Sequence, residues 1–166
     1  AAKALDVIVG AGTGDGLTPT GEKMRRLMHY GQMFQSHSLH FFHLASPDLL
    51  FGIDADPTKR NVLALALENK DLAVQGVMMR KFGQEIIAAT AGKKIHGTGA
   101  IPGGINKHLS AEDKERFLNG EAPLNIDTMI EWSQAALEFF HDYHDKNKGV
   151  IDDFVEFPSS YLSLVR

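Results

Sequence analysis

The sequence predicts a mainly α fold, a bundle of long buried helices broken by a glycine-rich, irregular segment with a short β excursion near residues 92–106. Three observations carry this. Three long stretches, 19–45, 71–91 and 127–148, hold apolar residues at helical spacing between capping signals. The 166 residues are 43% apolar, and a chain of this length buries roughly 70% of its unfolded surface. Residues 92–106, "GKKIHGTGAIPGGIN", carry glycines at 92, 97, 99, 103 and 104 together with Pro102, which excludes a helix there. No repeat, low-complexity run or interdomain linker interrupts the chain, so residues 1–166 are expected to form a single helical domain.

The first element raises a question of its own. "ALDVIVGAGTGDGL", residues 4–17, has the look of a strand entering a dinucleotide-binding loop. That fingerprint needs G-x-G-x-x-G opening a helix, so that a pyrophosphate sits on the helix N-terminus. Gly10 and Gly12 fit, but the third position is Asp15, whose carboxylate would repel phosphate. The preceding residues from Ala1 to Leu5 are helix formers, so a helix end followed by a glycine-rich turn is the reading adopted.

Thr18-Pro19 then supplies an N-cap and a first-turn proline, and the segment from Pro19 to Ala45 is predicted to be one long helix. Its apolar residues, from Met24 to Leu44, lie nearly all round it, as in a buried central helix. Ser46-Pro47 is expected to stop it. Asp56-Pro57 is read as the cap of a short helix reaching about Leu67. The helix from about Asp71 to Ala91 ends at Gly92, which fits a left-handed cap. After one short strand at Ala100-Ile101, Ser110 caps "AEDKERFLNG", with Asp113 completing a near capping box and Gly120 ending the helix. Asp127 is predicted to cap a last helix to about Lys148, with Ile130, Trp132, Ala136, Leu137, Phe140 and Tyr143 on its buried side.

Composition excludes several functions. The net charge of −4, with both signs dispersed, argues against nucleic acid. No apolar run of about 18 residues is present, so no membrane span is expected, and the start lacks the basic region and cleavage site of a signal peptide. The absence of cysteine removes disulfides, thiolate metal sites and cysteine nucleophiles from this chain, and is compatible with a cytoplasmic location. Ala1 is not an initiator methionine, so processing or excision from a longer chain is expected.

His37, His40 and His43 are the first candidates for chemistry. Neighbours three apart share a helix face, so a metal could bridge two of them, but each step of three drifts by about 60° and turns the third away. Zinc wants three or four ligands about one point. Two readings stand: histidines packed in a helical core, each bonded to a carbonyl or water, or partial metal ligands completed by other helices. Ser36 and His37 point about 100° apart and cannot act as nucleophile and base together. His141, His144 and Asp145 form an i, i+3, i+4 set near a helix C-terminus, where a cation suits the helix dipole. Lys93-Lys94 lies among glycines but misses the phosphate-loop pattern.

Three stretches go further: "TPTGEKMRRLMHYGQMFQSHSLHFFHLASPDLLFG" (Thr18–Gly52), "RKFGQEIIAATAGKKIHGTGAIPGGINKHLS" (Arg80–Ser110) and "ERFLNG" (Glu115–Gly120). In order and over nearly the whole chain they resemble the large (alpha) subunit of nickel–iron hydrogenases, most of all the cytoplasmic, NAD-reducing, bidirectional class. The resemblance implies a segment of a catalytic subunit that oxidises H2 reversibly to protons and electrons, passed through an iron–sulfur small subunit to NAD. Flavin-containing diaphorase subunits would bind the NAD, and the glycines of residues 10–16 would only join two helices. The parent would hold a Ni–Fe(CN)2CO centre on two cysteine pairs, an Arg-x-Cys-Gly-x-Cys motif and a Cys-x-x-Cys motif. Neither is in this sequence, which by the resemblance starts after the first and ends before the second. Nickel there needs soft thiolates, so no centre and no H2 turnover are expected of this chain alone.

The resemblance also assigns residues. No catalytic residue and no metal ligand falls in this segment. His37 matches a histidine on a helix running by the active site. Ser36 stands where membrane-bound relatives carry an acid, and a hydroxyl cannot supply a carboxylate's charge or pKa. His40 and His43 match a His-Phe-x-His pattern with packing or hydrogen-bonding roles. His96 matches a histidine facing the small subunit near its proximal iron–sulfur cluster, where a donated hydrogen bond tunes potential. Gly103 and Gly104 match a glycine pair where the backbone approaches another chain. The partners implied are the rest of the large subunit, the iron–sulfur subunit, and the flavin subunits. The alternative is a cysteine-less helical scaffold that keeps only protein contacts.

Overall fold

The computed structural model describes residues 2–11, 17–155 and 158–163, and its architecture is mainly α, as expected. The chain divides into two compact units, one running to Met129 and the other from Ile130 onward. The first holds α1 (Ala2–Ile8), α2 (Pro19–Leu39), a π-helical segment (His40–Ala45), α3 (Ser46–Phe51), α4 (Val62–Glu68), α5 (Lys70–Ala91), the strands β1 (Ala100–Ile101) and β2 (Gly104–Ile105), and α6 (Ala111–Asn119). The second is built on α7 (Ile126–Val155), whose first turn belongs to the first unit.

The frame of the first unit is α2 packed antiparallel on α5. Small residues let their backbones meet. A Cβ placed on Gly31 would lie 2.7 Å from Ile86 Cγ2, and one on Gly83 would lie 2.7 Å from the backbone N of Gln35 and the carbonyl O of Gly31. Farther along, a Cβ on Gly76 would run into Phe42 and come within 2.9 Å of His43 Cε1. Around this seam Met79, Phe82, Ile86 and Ile87 are buried, and Phe34, Phe82 and Phe117 meet edge to face at centroid distances of 6.1 and 5.6 Å. Leu65 from α4 is fully buried. Each such side chain removes apolar surface from water at roughly 25 cal/mol per Å².

Several sequence expectations need correction. α2 is not buried all round: Tyr30, Met33 and, in the π segment, Leu44 are exposed, and α2 buries a face built on Met24, Gly31 and Ser38. Ser46-Pro47 does not stop the helical path. The π segment widens the turn before it, Ser46 Oγ donates to the carbonyl of Phe41 (2.6 Å), and Pro47 falls in the first turn of α3, where a missing N–H costs little. The path ends only at Gly52. Asp56-Pro57 caps no helix: the Asp56 carboxylate accepts from the N–H and hydroxyl of Thr58, and α4 begins after Asn61, whose Oδ1 accepts from the amides of Leu63 and Ala64. The last helix is capped by Asn125, whose Oδ1 accepts from Thr128 N (2.9 Å), not by Asp127. It runs past Lys148 through a non-helical Asn147, and Ile130 and Leu137 are exposed rather than buried.

Other elements stand as read. Gly92 takes a left-handed φ of 79° at the end of α5. Ser110 Oγ accepts from Asp113 N at 2.9 Å, and Gly120 follows α6. The short strand Ala100–Ile101 is present, paired antiparallel in register with Ile105 and Gly104.

A latch of buried charge and an outward hairpin

The site the structure assembles first is one that no local motif marks. Arg25 and Asp6 are both buried, at 8% and 3% exposure. Arg25 Nη1 and Nη2 donate to the two carboxylate oxygens of Asp6 at 2.5 and 3.0 Å. The same guanidinium donates from Nε to Gly104 O (2.8 Å) and from Nη2 to Ile101 O (2.6 Å). Gly103 N–H completes the set by donating to Asp6 Oδ1 at 2.8 Å. One arginine thus ties α1, α2 and the β1–β2 hairpin together, with the buried charges paired as burial requires. The hydrogen bonds from Arg25, then that from Gly103, hold the Asp6 carboxyl down at about 2, against an ordinary 3.8.

This latch explains both glycines of the hairpin. Gly103 has φ of 83°, a turn conformation that suits glycine, and Gly104 presents its carbonyl to Arg25. Their backbones approach Asp6 and Arg25 of this same chain. Upstream, the segment is seated on the end of α5: a Cβ on Gly99 would lie 2.6 Å from Thr90 O, and Lys107 Nζ donates to Ala89 O at 2.7 Å. The cation meets the negative end of the helix there.

Ser36 and His37 are exposed on α2. His37 Nδ1 lies 2.7 Å from Met33 O, and since a carbonyl only accepts, Nδ1 carries the hydrogen and Nε2 is left as an acceptor. His40 is exposed, whereas both ring nitrogens of His43 are buried. His96 is exposed with φ of 53°, in the left-handed region. It lines a groove of about 390 Å³ with His29, Gln32, Gln35 and Lys94. Lys94 Nζ is 2.6 Å from Glu85 Oε1, and this contact, with Arg116 adding to it, lowers the Glu85 pKa. In the second unit His144 lies 3.6 Å from Asp145 and 4.0 Å from Asp152. Lys93, Gly97 and Thr98 are exposed, and Gly12, Gly14, Asp15 and Gly16 of the opening motif lie outside the described residues.

Among the described residues no group of three or more His, Asp or Glu side chains is placed to hold a metal, and the chain has no cysteine. The donors present do not fit a thiolate-bound nickel–iron centre, and no chemical step is assigned through one here. No described helix is long and apolar enough to cross a membrane.

A helical pair joined at glycines and a glycine hairpin latched to an N-terminal helix belong to a chain that is similar, over nearly its whole length, to hydrogenase subunits. The beta subunit of the NAD-reducing hydrogenase HoxS of Cupriavidus necator is 49% identical over 99% of this chain and 34% of its own length. A vhu subunit of the F420-non-reducing hydrogenase of Methanococcus voltae is 37% identical over 99% of this chain and 37% of its own length. A crystal structure of NAD+-reducing [NiFe]-hydrogenase in the H2-reduced state matches 94% of the chain and 33% of the solved one, with a TM-score of 0.80 and 46% identity. The chain therefore spans about a third of the length of these relatives. No protein-family model matches. The expectation of a large, alpha-subunit fragment is corrected by these relatives, the first of which is designated a beta subunit. The similarity goes no finer than a hydrogenase subunit of the NAD-reducing or F420-non-reducing type.

Proposed function

We propose that the chain is a scaffold segment of a cytoplasmic hydrogenase complex that oxidises H2 reversibly to protons and electrons and delivers the electrons to NAD. The observation that carries this is the 49% identity to a subunit of an NAD-reducing enzyme, together with the 0.80 TM-score to a solved one. The partners are flavin subunits of the diaphorase type together with an iron–sulfur subunit. The metal centre is nickel–iron, with its ligands outside these residues.

In this reading the seam of α2 and α5 is a rigid support. It carries Ser36 and His37 on the exposed face of α2 toward the metal centre, and rigid elements place such groups more sharply than loops do. The exposed Nε2 acceptor of His37, fixed by the bond to Met33, supports a positioning role. His96, Gly103 and Gly104 lie on the outward hairpin region and face the iron–sulfur subunit. The latch of Arg25 and Asp6 holds that hairpin in place from behind.

The test of these placements uses the Cupriavidus necator complex with residues 1–166 of this chain replacing the aligned third of its beta subunit. His37→Ala is expected to slow H2 uptake with every electron acceptor. His96→Ala is expected to slow NAD reduction while sparing H2–deuterium exchange at the metal centre. Variants that assemble fully and leave all three rates unchanged would overturn the placements.

A further inference from the structure

The seam between the π segment and α5 contains polar groups that nothing in it satisfies. Both ring nitrogens of His43 and Nε of Arg80 are buried and without a hydrogen-bond partner among the described residues. The other described arginines all have an acid: Asp6 for Arg25, Glu22 for Arg26, Asp48 for Arg60, and Asp113 and Glu85 for Arg116. Arg80 has none among the described residues.

The two orphans lie on one side of α5. Gly76, whose missing Cβ makes room for the His43 ring, sits one turn before Arg80, and Gly83, which touches Gln35 of α2, sits one turn after it. Positions three and four apart share a helix face, so Arg80 leaves α5 toward α2 and the π segment. No acidic residue occurs between Lys23 and Pro47, the whole opposing stretch. On α5 the acids are Asp71, more than two turns away, and Glu85, held by Lys94 and Arg116. A guanidinium stays charged, and a desolvated, unpaired N–H on it is costly. The π turn beside it is a feature concentrated at functional sites.

We infer that Arg80 and His43 form a receptor for a carboxylate supplied from outside the described residues. The planar fork of Nε and one Nη matches two carboxylate oxygens, and a His43 ring N–H adds a third donor. The inference stands on these residues alone and does not depend on the hydrogenase reading.

The experiment is an NMR titration of the ¹⁵N-labelled chain, following Arg80 Nε–Hε and the His43 ring. The probes are sodium acetate, sodium chloride at matched ionic strength, and a glutamate tripeptide blocked at both termini. Saturable shifts with acetate and not chloride are expected, absent in Arg80→Gln and weaker in Arg80→Lys. A response to both acetate and the blocked peptide identifies a polypeptide side chain as an eligible source; a response to acetate alone identifies a free acid. Equal, unsaturable responses to acetate and chloride overturn the proposal. A melting curve gives a second reading. Without acetate, Arg80→Gln is expected to leave Tm unchanged or raise it, because an unpaired cation is removed. Acetate should raise the Tm of the parent chain only. A large fall in Tm for Arg80→Gln in acetate-free buffer would reveal an internal partner and refute the receptor.

Discussion

Replacing Gly83 by alanine tests the helical seam at its tightest point. The new methyl would lie 2.7 Å from Gln35 Cβ, Gln35 N and Gly31 O, roughly 0.7 Å inside the 3.4 Å at which ordinary contact begins. Two of the three atoms are backbone, so relief requires moving α2 away from α5 rather than turning a side chain. Overpacking of this kind costs about 1–3 kcal/mol. The upper half of that range applies, because Phe82, Ile86 and Ile87 are buried on the same helix and lose contact when it shifts. Alanine's better helix propensity returns about 1 kcal/mol. The net expectation is a loss of about 1–2 kcal/mol, or a Tm lower by about 3–8 °C for a chain of this size. Thermal melts followed by circular dichroism at 222 nm measure it. Gly149→Ala is the control: no atom lies within 4 Å of its Cβ, so only the propensity gain of about 0.5–1 kcal/mol remains. Because Gly31 and Gly83 press on the same contact, the Gly31→Ala/Gly83→Ala pair should cost less than the two singles added. A Gly83→Ala chain as stable as the parent would refute backbone contact across the seam.

Three further outcomes are expected. Asp6 is held at about 2, so its contribution to stability is fully present above the ordinary carboxylate value and is lost as the pH falls through about 2. A carboxyl ¹³C titration should show that midpoint, Asp6→Asn should flatten the acid limb of the stability curve, and a midpoint near 4 would contradict the latch. Ser110→Ala should cost about 1 kcal/mol through loss of the bond to Asp113 N, measured by urea denaturation. Leu65→Ala, which empties a fully buried site, should cost about 2–5 kcal/mol by the same measurement.

Much of the fold was legible because local chemistry and tertiary structure agree. Gly92 ends α5 and Ser110 starts α6 by bonds within a few residues of themselves, and such signals survive without context. Two proline signals failed for a shared reason. Pro47 sits where a π turn has already displaced the preceding carbonyls, and Asp56 spends its carboxylate on Thr58 before any helix begins. Helix faces were misjudged where glycine does the packing: periodicity counts side chains, and Gly31, Gly76 and Gly83 contribute by having none. Of the candidate site, His37 and the hairpin glycines were visible through resemblance. The Arg25–Asp6 latch was not, because its partners are separated by 19, 76 and 79 residues and nothing local marks them. Its only trace was an acid in an otherwise apolar opening helix.

The central claim, that this chain does the work of the matching third of an NAD-reducing hydrogenase subunit, is tested most directly by the unmutated chimera in the Cupriavidus necator complex. H2-dependent NAD reduction is measured after purification, with subunit stoichiometry and metal content checked on the same sample. The account expects a complex that assembles, carries its metals and reduces NAD with H2. A fully assembled, metal-loaded complex that does not turn over H2 would contradict it.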